Sequence, residues 1–189
     1  YCSVAMGTDN WVGNAPAQHA AAIGQGNRVY GNDGVAFGWY NTIGTSTSNT
    51  DMAPVCIGAG NRAMGGASIA IGANNHADKD YACAIGHDCS ALGIASFAVG
   101  RSNVARSPAS RALGNYCTAG NSASVGVCAF ADGSGCNATG DYHVAFGNAA
   151  STDPSNVFVY SNGDASWAFG FDADNSGCLR ISHAGSSTT

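Results

Sequence analysis

Residues 67–72 read Ala-Ser-Ile-Ala-Ile-Gly, and this phrase returns three times at a constant interval. It becomes Tyr-Ala-Cys-Ala-Ile-Gly at 81–86, Ala-Ser-Phe-Ala-Val-Gly at 95–100 and Ala-Ser-Arg-Ala-Leu-Gly at 109–114. A fixed period of this kind predicts stacked structural units. The glycines that close the phrase, together with one a period earlier, lie fourteen residues apart: Gly58, Gly72, Gly86, Gly100 and Gly114.

The repeat extends in both directions. Residues 53–58 read Ala-Pro-Val-Cys-Ile-Gly one period earlier, and 123–128 read Ala-Ser-Val-Gly-Val-Cys one period later, with Cys128 in the glycine position. We interpret the less regular intervals outside this stretch as insertions in a ladder of coils. Shorter forms of the phrase recur further out, at 22–24, 36–38, 145–147 and 168–170.

Each phrase alternates branched residues with small ones before the glycine, which predicts a strand followed by a turn. The residue between the two apolar positions is small in every unit: Cys56, Ala70, Ala84, Ala98, Ala112 and Gly126. A second small column predicts a weaker strand facing the first: Ala63, Ala77, Ala91, Ala105, Ala119 and Gly133. The predicted fold is therefore all-β, a flattened parallel solenoid with an alanine-sized interior and coils about 4.8 Å apart.

If alanines fill the interior, the Ile, Val and Leu rows must face outward as an apolar stripe several coils long. Exposed stripes of more than a few hundred Å² are interaction surfaces. The simplest cover for such a stripe is further copies of the same chain in cyclic symmetry.

The unit Ser-Ile-Ala-Ile-Gly-Ala-Asn-Asn-His-Ala at residues 68–77 resembles the repeat of the YadA-type head of trimeric adhesins. The resemblance covers most of residues 1–150, and Arg111 in an apolar row and Cys128 in place of glycine depart from it. It implies a left-handed parallel β-roll that forms a homotrimer through its apolar rows. The trimer core would then contain Ile57, Ile69, Ile71, Ile85, Phe97, Val99, Leu113, Val125 and Val127.

Composition excludes several classes of protein. The chain has 189 residues, 27 glycines, 10% charged residues and a net charge of −5. Its seven basic residues are scattered, which predicts no nucleic-acid partner. No apolar run of about twenty residues occurs, so we expect no insertion into a membrane. Because the repeat is already under way at residues 4–7, we expect an interior or processed piece of a longer fibre.

The eight cysteines include no Cys-x-x-Cys pair. Several replace small or apolar residues of the repeat, which favours buried free thiols, with disulfides within or between chains as the alternative. Cys89 and Cys117 share a column but would lie two coils apart, about 9.6 Å, too far to bond. We expect no cofactor and no metal site.

Residues 172–183 resemble a calcium-binding loop in the spacing of Asp172, Asp174, Ser176 and Gly177. The twelfth position is His183, where such a loop needs a bidentate glutamate. We interpret this segment as a β-turn between strands.

Two of the predicted insertions contain aromatic residues that are candidates for ligand binding. One insertion separates Gly7 from Gly24 and contains Trp11, and the other follows Gly38 and begins with Trp39 and Tyr40. Insertions in a solenoid map to loops that often bind ligands. We therefore predict Trp11, Trp39 and Tyr40 as receptor-binding residues, with shielding of the roll as the alternative role.

Residues 151–189 form a second region of different character. Two aromatic segments, 156–160 and 165–171, flank Ser161-Asn162-Gly163-Asp164, which predicts a β-hairpin. Residues 165–183 resemble a segment of bacteriophage tail fibres and spikes that precedes an intramolecular chaperone.

These observations predict a structural, receptor-binding segment of a homotrimeric extracellular attachment fibre, with a host-surface glycan or protein as its receptor. A bacteriophage tail fibre on the virion is the first reading, and the head of a bacterial trimeric autotransporter adhesin is the alternative. A polysaccharide-cleaving solenoid enzyme would need paired carboxylates, for example among Asp78, Asp80 and Asp88, which we interpret as turn residues. An ice-binding role lacks the threonine ladder it would require. We expect no catalysis.

Overall fold

The computed structural model describes residues 3–13, 19–30, 32–44, 53–121, 128–152, 156–171 and 179–185. Over these residues the chain contains strands and no helix, and it forms a parallel β-solenoid of about 10 coils. A regular coil consists of a long strand, a short turn, a short strand and a longer turn. The predicted all-β parallel solenoid with fourteen-residue coils is confirmed.

The long strands have five residues each and stack in one sheet. They are β1 (Val4–Thr8), β3 (Ala21–Gln25), β5 (Val35–Trp39), β7 (Val55–Ala59), β9 (Ile69–Ala73), β11 (Cys83–His87), β13 (Phe97–Arg101), β15 (Arg111–Asn115), β17 (Phe130–Ser134) and β19 (Val144–Asn148). The short strands form the facing sheet. They are β2 (Trp11–Val12), β4 (Arg28–Val29), β6 (Thr42–Ile43), β8 (Arg62–Ala63), β10 (His76–Ala77), β12 (Ser90–Ala91), β14 (Val104–Ala105), β16 (Thr118–Ala119) and β18 (Asn137–Ala138).

The interior is narrow because small side chains from the two sheets meet there. Ala70 and Ala84 of the long strands and Ala77 and Ala91 of the short strands have no exposed surface. Both small columns predicted from the sequence are therefore buried. An interior of this width leaves the alternate residues of each long strand no place except the outer face.

The repeated glycines lie inside the long strands, one residue before each strand ends, and not in the turns. Gly86 has a φ of 125°, and a Cβ built on it would overlap the carbonyl oxygen of Gly100 in the next coil. This position therefore excludes any side chain. Its positive φ requires glycine, and so does the close approach of the adjacent coil's backbone.

An asparagine ladder lies inside the short turn. The side-chain Nδ2 of Asn75 donates to the carbonyl oxygens of Ile71 (2.9 Å) and Gly86 (2.8 Å). Its Oδ1 accepts from the backbone N–H of Cys89 (3.0 Å) in the next coil. The pattern satisfies buried backbone groups that a turn would otherwise leave without partners. The same position is occupied by Asn10, Asn27, Asn41, Asn61, Asn75, Cys89, Asn103, Cys117 and Cys136.

The insertions all open the longer turn, between a short strand and the next long strand. A regular turn of this kind spans residues 64–68. The turns that contain insertions span residues 13–20, 44–54 and 120–129. The strands on either side still pair in the ordinary register, as β5 does with β7. One edge of the solenoid therefore carries every insertion found between described strands.

The prediction for residues 123–128 was wrong. The coil after β15 begins at Cys128, and β17 pairs Ala131 with Ala112 and Gly133 with Gly114. The second small column likewise continues from Ala119 to Ala138 and not to Gly133. The reason is steric: with Cys128 in the glycine position, its Cβ would overlap the backbone of the adjacent coil.

The chain leaves the solenoid through antiparallel strands. β20 (Asn156–Asn162) still pairs in parallel with β19, and β21 (Ala165–Phe171) and β22 (Leu179–Gly185) then follow in antiparallel order. At the hairpin turn, Asn162 Oδ1 accepts hydrogen bonds from the N–H groups of Asp164 (3.0 Å) and Ala165 (2.8 Å). The predicted hairpin is confirmed. The residues of the calcium-like loop, 172–177, lie outside the described residues.

Candidate functional site

The outer face of the long-strand sheet carries two rows of side chains. The first row contains the first residue of each long strand, with its eleventh member from β20: Val4, Ala21, Val35, Val55, Ile69, Cys83, Phe97, Arg111, Phe130, Val144 and Phe158. The second row contains the third residue of each: Met6, Ile23, Phe37, Ile57, Ile71, Ile85, Val99, Leu113, Asp132, Phe146 and Tyr160. Together they form the apolar face, which is almost uncharged over its whole length.

Many of these side chains are exposed to solvent in the single chain. Ile57 keeps 43% of its surface exposed, Phe37 41% and Met6 58%. Ile71 and Ile85 are half-buried, because their neighbours above and below in the same row cover their flanks. A protein of this size rarely leaves a continuous apolar surface of this length uncovered.

Seven of the nine predicted trimer-core residues lie on the apolar face. They are Ile57, Ile69, Ile71, Ile85, Phe97, Val99 and Leu113. Val125 and Val127 lie outside the described residues, and the members of the rows at that level are Phe130 and Asp132. Sequence reasoning also left out the members at both ends, such as Met6, Phe37 and Phe146. The sequence signal that marks them is a recurring triplet of alanine, a large apolar residue and glycine.

Trp39 and Tyr40 belong to a regular coil and not to an insertion, which corrects the prediction. Trp39 is the last residue of β5 and pairs in register with Gln25, and Tyr40 occupies the short turn with a φ of 52°. Their ring centroids are 5.1 Å apart. The ring of Tyr40 covers Gly26 of the preceding coil, where a Cβ would not fit. The pair is therefore held in place while more than half of each side chain stays exposed.

Trp11 lies elsewhere, on the short-strand sheet. It packs against Tyr30, with ring centroids 4.7 Å apart. The structure thus separates the three predicted receptor-binding residues into two aromatic pairs. The Trp39–Tyr40 pair is at the short-turn edge, opposite the edge that carries the insertions.

The carboxylates considered for catalysis have partners in the same coil or in the preceding one. Asp80 Oδ1 accepts a hydrogen bond from the backbone N–H of Gly66 at 2.8 Å, and Asp78 lies 3.5 Å from Arg62 Nε. Asp88 lies 2.9 Å from His87 Nδ1. Each carboxylate therefore has a local role in joining coils or in holding a turn.

The described cysteines are free thiols, most of them buried. Burial raises the pKa of the Cys56 thiol to about 12, and it also raises the pKa of Cys136. Cys89 and Cys117 do lie two coils apart, since their short turns are separated by that of Asn103. The register places Cys117 next to Cys136 in the following coil. This neighbour was not predicted from the sequence, because the coil after Gly114 had been placed in the wrong register.

The described residues include no group of three or more His, Cys, Asp or Glu side chains suited to hold a metal ion. Nor does that part of the chain contain a helix long and apolar enough to cross a membrane. Comparison with models of protein families, with curated proteins and with solved structures found no match. The class of the protein is therefore given by its strand order and register: an all-β parallel solenoid.

Proposed function

We propose that the chain is a structural, receptor-binding segment of a homotrimeric extracellular attachment fibre. The observation that carries this proposal is the apolar face, which extends from Val4 to Tyr160 with Arg111 and Asp132 as its charged members. Ten stacked coils at about 4.8 Å extend it over roughly 45 Å. Covering such a face stabilises an assembly by about 25 cal/mol for every Å² of apolar surface removed from water.

Three copies arranged around one axis would cover the face of each copy. In a cyclic trimer the interface is heterologous, which means that two different surfaces meet. One edge of the apolar face of one copy therefore contacts the opposite edge of the apolar face of the next copy. The three solenoids then run in parallel as a rigid rod, with their short-strand sheets and both turn edges on the outside. The resemblance of residues 68–77 to the repeat of trimeric adhesin heads supports this arrangement.

The outward edges supply the adhesive part of the proposal. Trp39 and Tyr40 form a fixed, exposed aromatic pair, and aromatic faces of this kind stack on sugar rings or on apolar protein groups. A trimer presents this pair three times, which increases the avidity for a repeated glycan or protein on a host surface. We propose the short-turn edge at Trp39 as the receptor contact.

The fibre is proposed to belong to a bacteriophage tail. The resemblance of residues 165–183 to tail-fibre segments supports this, as does the change from parallel coils to the antiparallel strands β21 and β22. The role assigned is structural and adhesive, and not enzymatic.

Light scattering on the native protein at several concentrations tests the assembly. We expect a mass three times that of the 18.8 kDa chain. Ile71→Asp or Ile85→Asp should yield monomers, because a trimer would bury three unpaired charges. His76→Asp, on the outer side of the short-strand sheet in the same coil as Ile71, should leave the trimer intact. A monomeric native protein would overturn the proposal.

A further inference from the structure

Two charged residues interrupt the apolar face at adjacent levels. Arg111 is the charged member of the first row and Asp132 the charged member of the second row. They lie on neighbouring strands, β15 and β17, where Arg111 pairs in register with Phe130 and Leu113 with Asp132. Two opposite charges, one in each row and one coil apart, are placed to meet across a contact between copies.

Within the single chain, the two side chains do not form an ion pair. The ion pairs among the described residues join His19 to Asp33, Arg62 to Asp78 and His87 to Asp88. Both charges are therefore available to a partner that covers the face.

Arg111 also lines an open groove on this face. The groove has a volume of about 330 Å³ and is lined by Ala95, Phe97, Arg111, Leu113 and Phe130. It exists because Phe97 and Phe130 stand on either side of Arg111 in the first row. A side chain from another copy can enter between the two rings and reach the guanidinium group.

We propose that Arg111 of one copy forms an ion pair with Asp132 of the next copy, three times around the trimer. This inference rests on the proposed homotrimer and deepens it. In a cyclic assembly the first row of one copy lies beside the second row of its neighbour. Asp132 is then one coil, about 4.8 Å, along the axis from the level of Arg111, a separation that an extended arginine side chain spans.

The pair sets the axial register of the copies. An apolar surface that closes over an unpaired charge is strongly destabilised, whereas a charge with an opposite partner is compensated. In a trimer, sliding one copy by a coil would bring Arg111 and Asp132 level at one of its two interfaces and move them two coils apart at the other. The remaining members of the rows are uncharged and are mostly Val, Ile and Phe, which provide little preference for one register over another.

The charge positions also disfavour a two-fold antiparallel dimer. To bring Arg111 against Asp132, such a dimer would be centred between β15 and β17. The opposing faces would then overlap only near that end, and the rows of β1 to β9 would stay exposed. A parallel cyclic trimer pairs the charges and covers the full face.

Charge reversal tests the pair. Arg111→Asp and Asp132→Arg should each raise the concentration at which the trimer dissociates by about 100-fold, whereas the double variant should return to within roughly threefold of the native value. Arg106→Asp, on an exposed turn in the preceding coil, is the control and should have no effect. Light scattering and analytical ultracentrifugation give the masses, and far-ultraviolet circular dichroism checks that each chain stays folded.

The outcomes separate the two proposals. If the native protein is a trimer and the single reversals behave like Arg106→Asp, the ion pair is overturned while the attachment-fibre assembly stands. If the double variant weakens the trimer as much as the two single variants combined, the two charges do not interact. The ion pair is again overturned. A native monomer or dimer overturns both proposals.

Discussion

Asn61 Oδ1 accepts two hydrogen bonds from Asn75 in the next coil, one from its backbone N–H at 3.0 Å and one from its side-chain Nδ2 at 3.0 Å. Both residues are fully buried or nearly so. The same kind of contact recurs between the short turns of successive coils. It joins coils whose interior here contains only small side chains. The stability of the solenoid therefore depends on a buried polar ladder as well as on apolar burial.

Asn75→Ala should lower the free energy of unfolding by about 3 kcal/mol, because it leaves several buried backbone groups without partners. Cys89→Asn should act in the opposite direction and raise it by about 1 kcal/mol, since it restores the ladder between Asn75 and Asn103. Urea unfolding at equal protein concentration measures both effects. Equal stability of Asn75→Ala and the native protein would show that the ladder contributes nothing.

Gly86→Val should destabilise the coil by about 3 kcal/mol or more, because a side chain there has neither an allowed backbone conformation nor space. Gly135→Asn is the matched control. Gly135 also has a positive φ, of 66°, but the nearest atom to a Cβ built on it is Ala149 Cα at 4.0 Å. Thermal unfolding should show a large loss for the first variant and little change for the second. A similar midpoint for both would contradict the steric argument.

Cys56 should resist alkylation by iodoacetamide at pH 8 in the native state, while the exposed Cys128 should react. The reason is that burial raises the pKa of the Cys56 thiol from 9.0 to about 12, which suppresses the reactive thiolate. Peptide mapping by mass spectrometry after a short exposure distinguishes the two sites. Rapid labelling of Cys56 would contradict its burial.

The same thiol makes stability dependent on pH. Its pKa is higher in the folded state, so its contribution to stability is fully present below pH 9 and is lost as the pH rises toward 12. Cys56→Ala should reduce this loss, since alanine occupies the same column at Ala70 and Ala84. Chemical unfolding of both proteins between pH 8 and pH 11 checks the difference, and parallel curves would contradict it.

Trp39→Ala should weaken receptor binding by about tenfold without lowering the unfolding midpoint, because the side chain is exposed and stands outside the core. Tyr81→Ala, another exposed aromatic residue, on the turn edge that carries the insertions, is the control. A glycan array followed by calorimetry provides the affinities. If only Tyr81→Ala weakened receptor binding, the receptor contact would lie on the turn edge that carries the insertions. If Trp39→Ala also lowered the unfolding midpoint, that residue would have a structural role.

Local regularities made much of the fold predictable from sequence. The fourteen-residue period, the alanines at 70 and 84 and the glycine at 86 are each imposed by the geometry of a single coil, so they recur in the chain wherever a coil is built. The outward direction of Ile71 and Ile85 followed directly, since a strand alternates its side chains.

The tertiary structure alone decided how the irregular coils pair. Residues 123–128 match the phrase in their apolar alternation, yet pairing selects Ala131 and Gly133, because the backbone of the next coil approaches too closely for Cys128. That choice depends on a contact between segments distant in sequence, as do the packing of Tyr40 over Gly26 and the placing of Arg111 beside Asp132. Sequence determined the repeating unit, and the non-local fit of one coil on the next determined which residues meet.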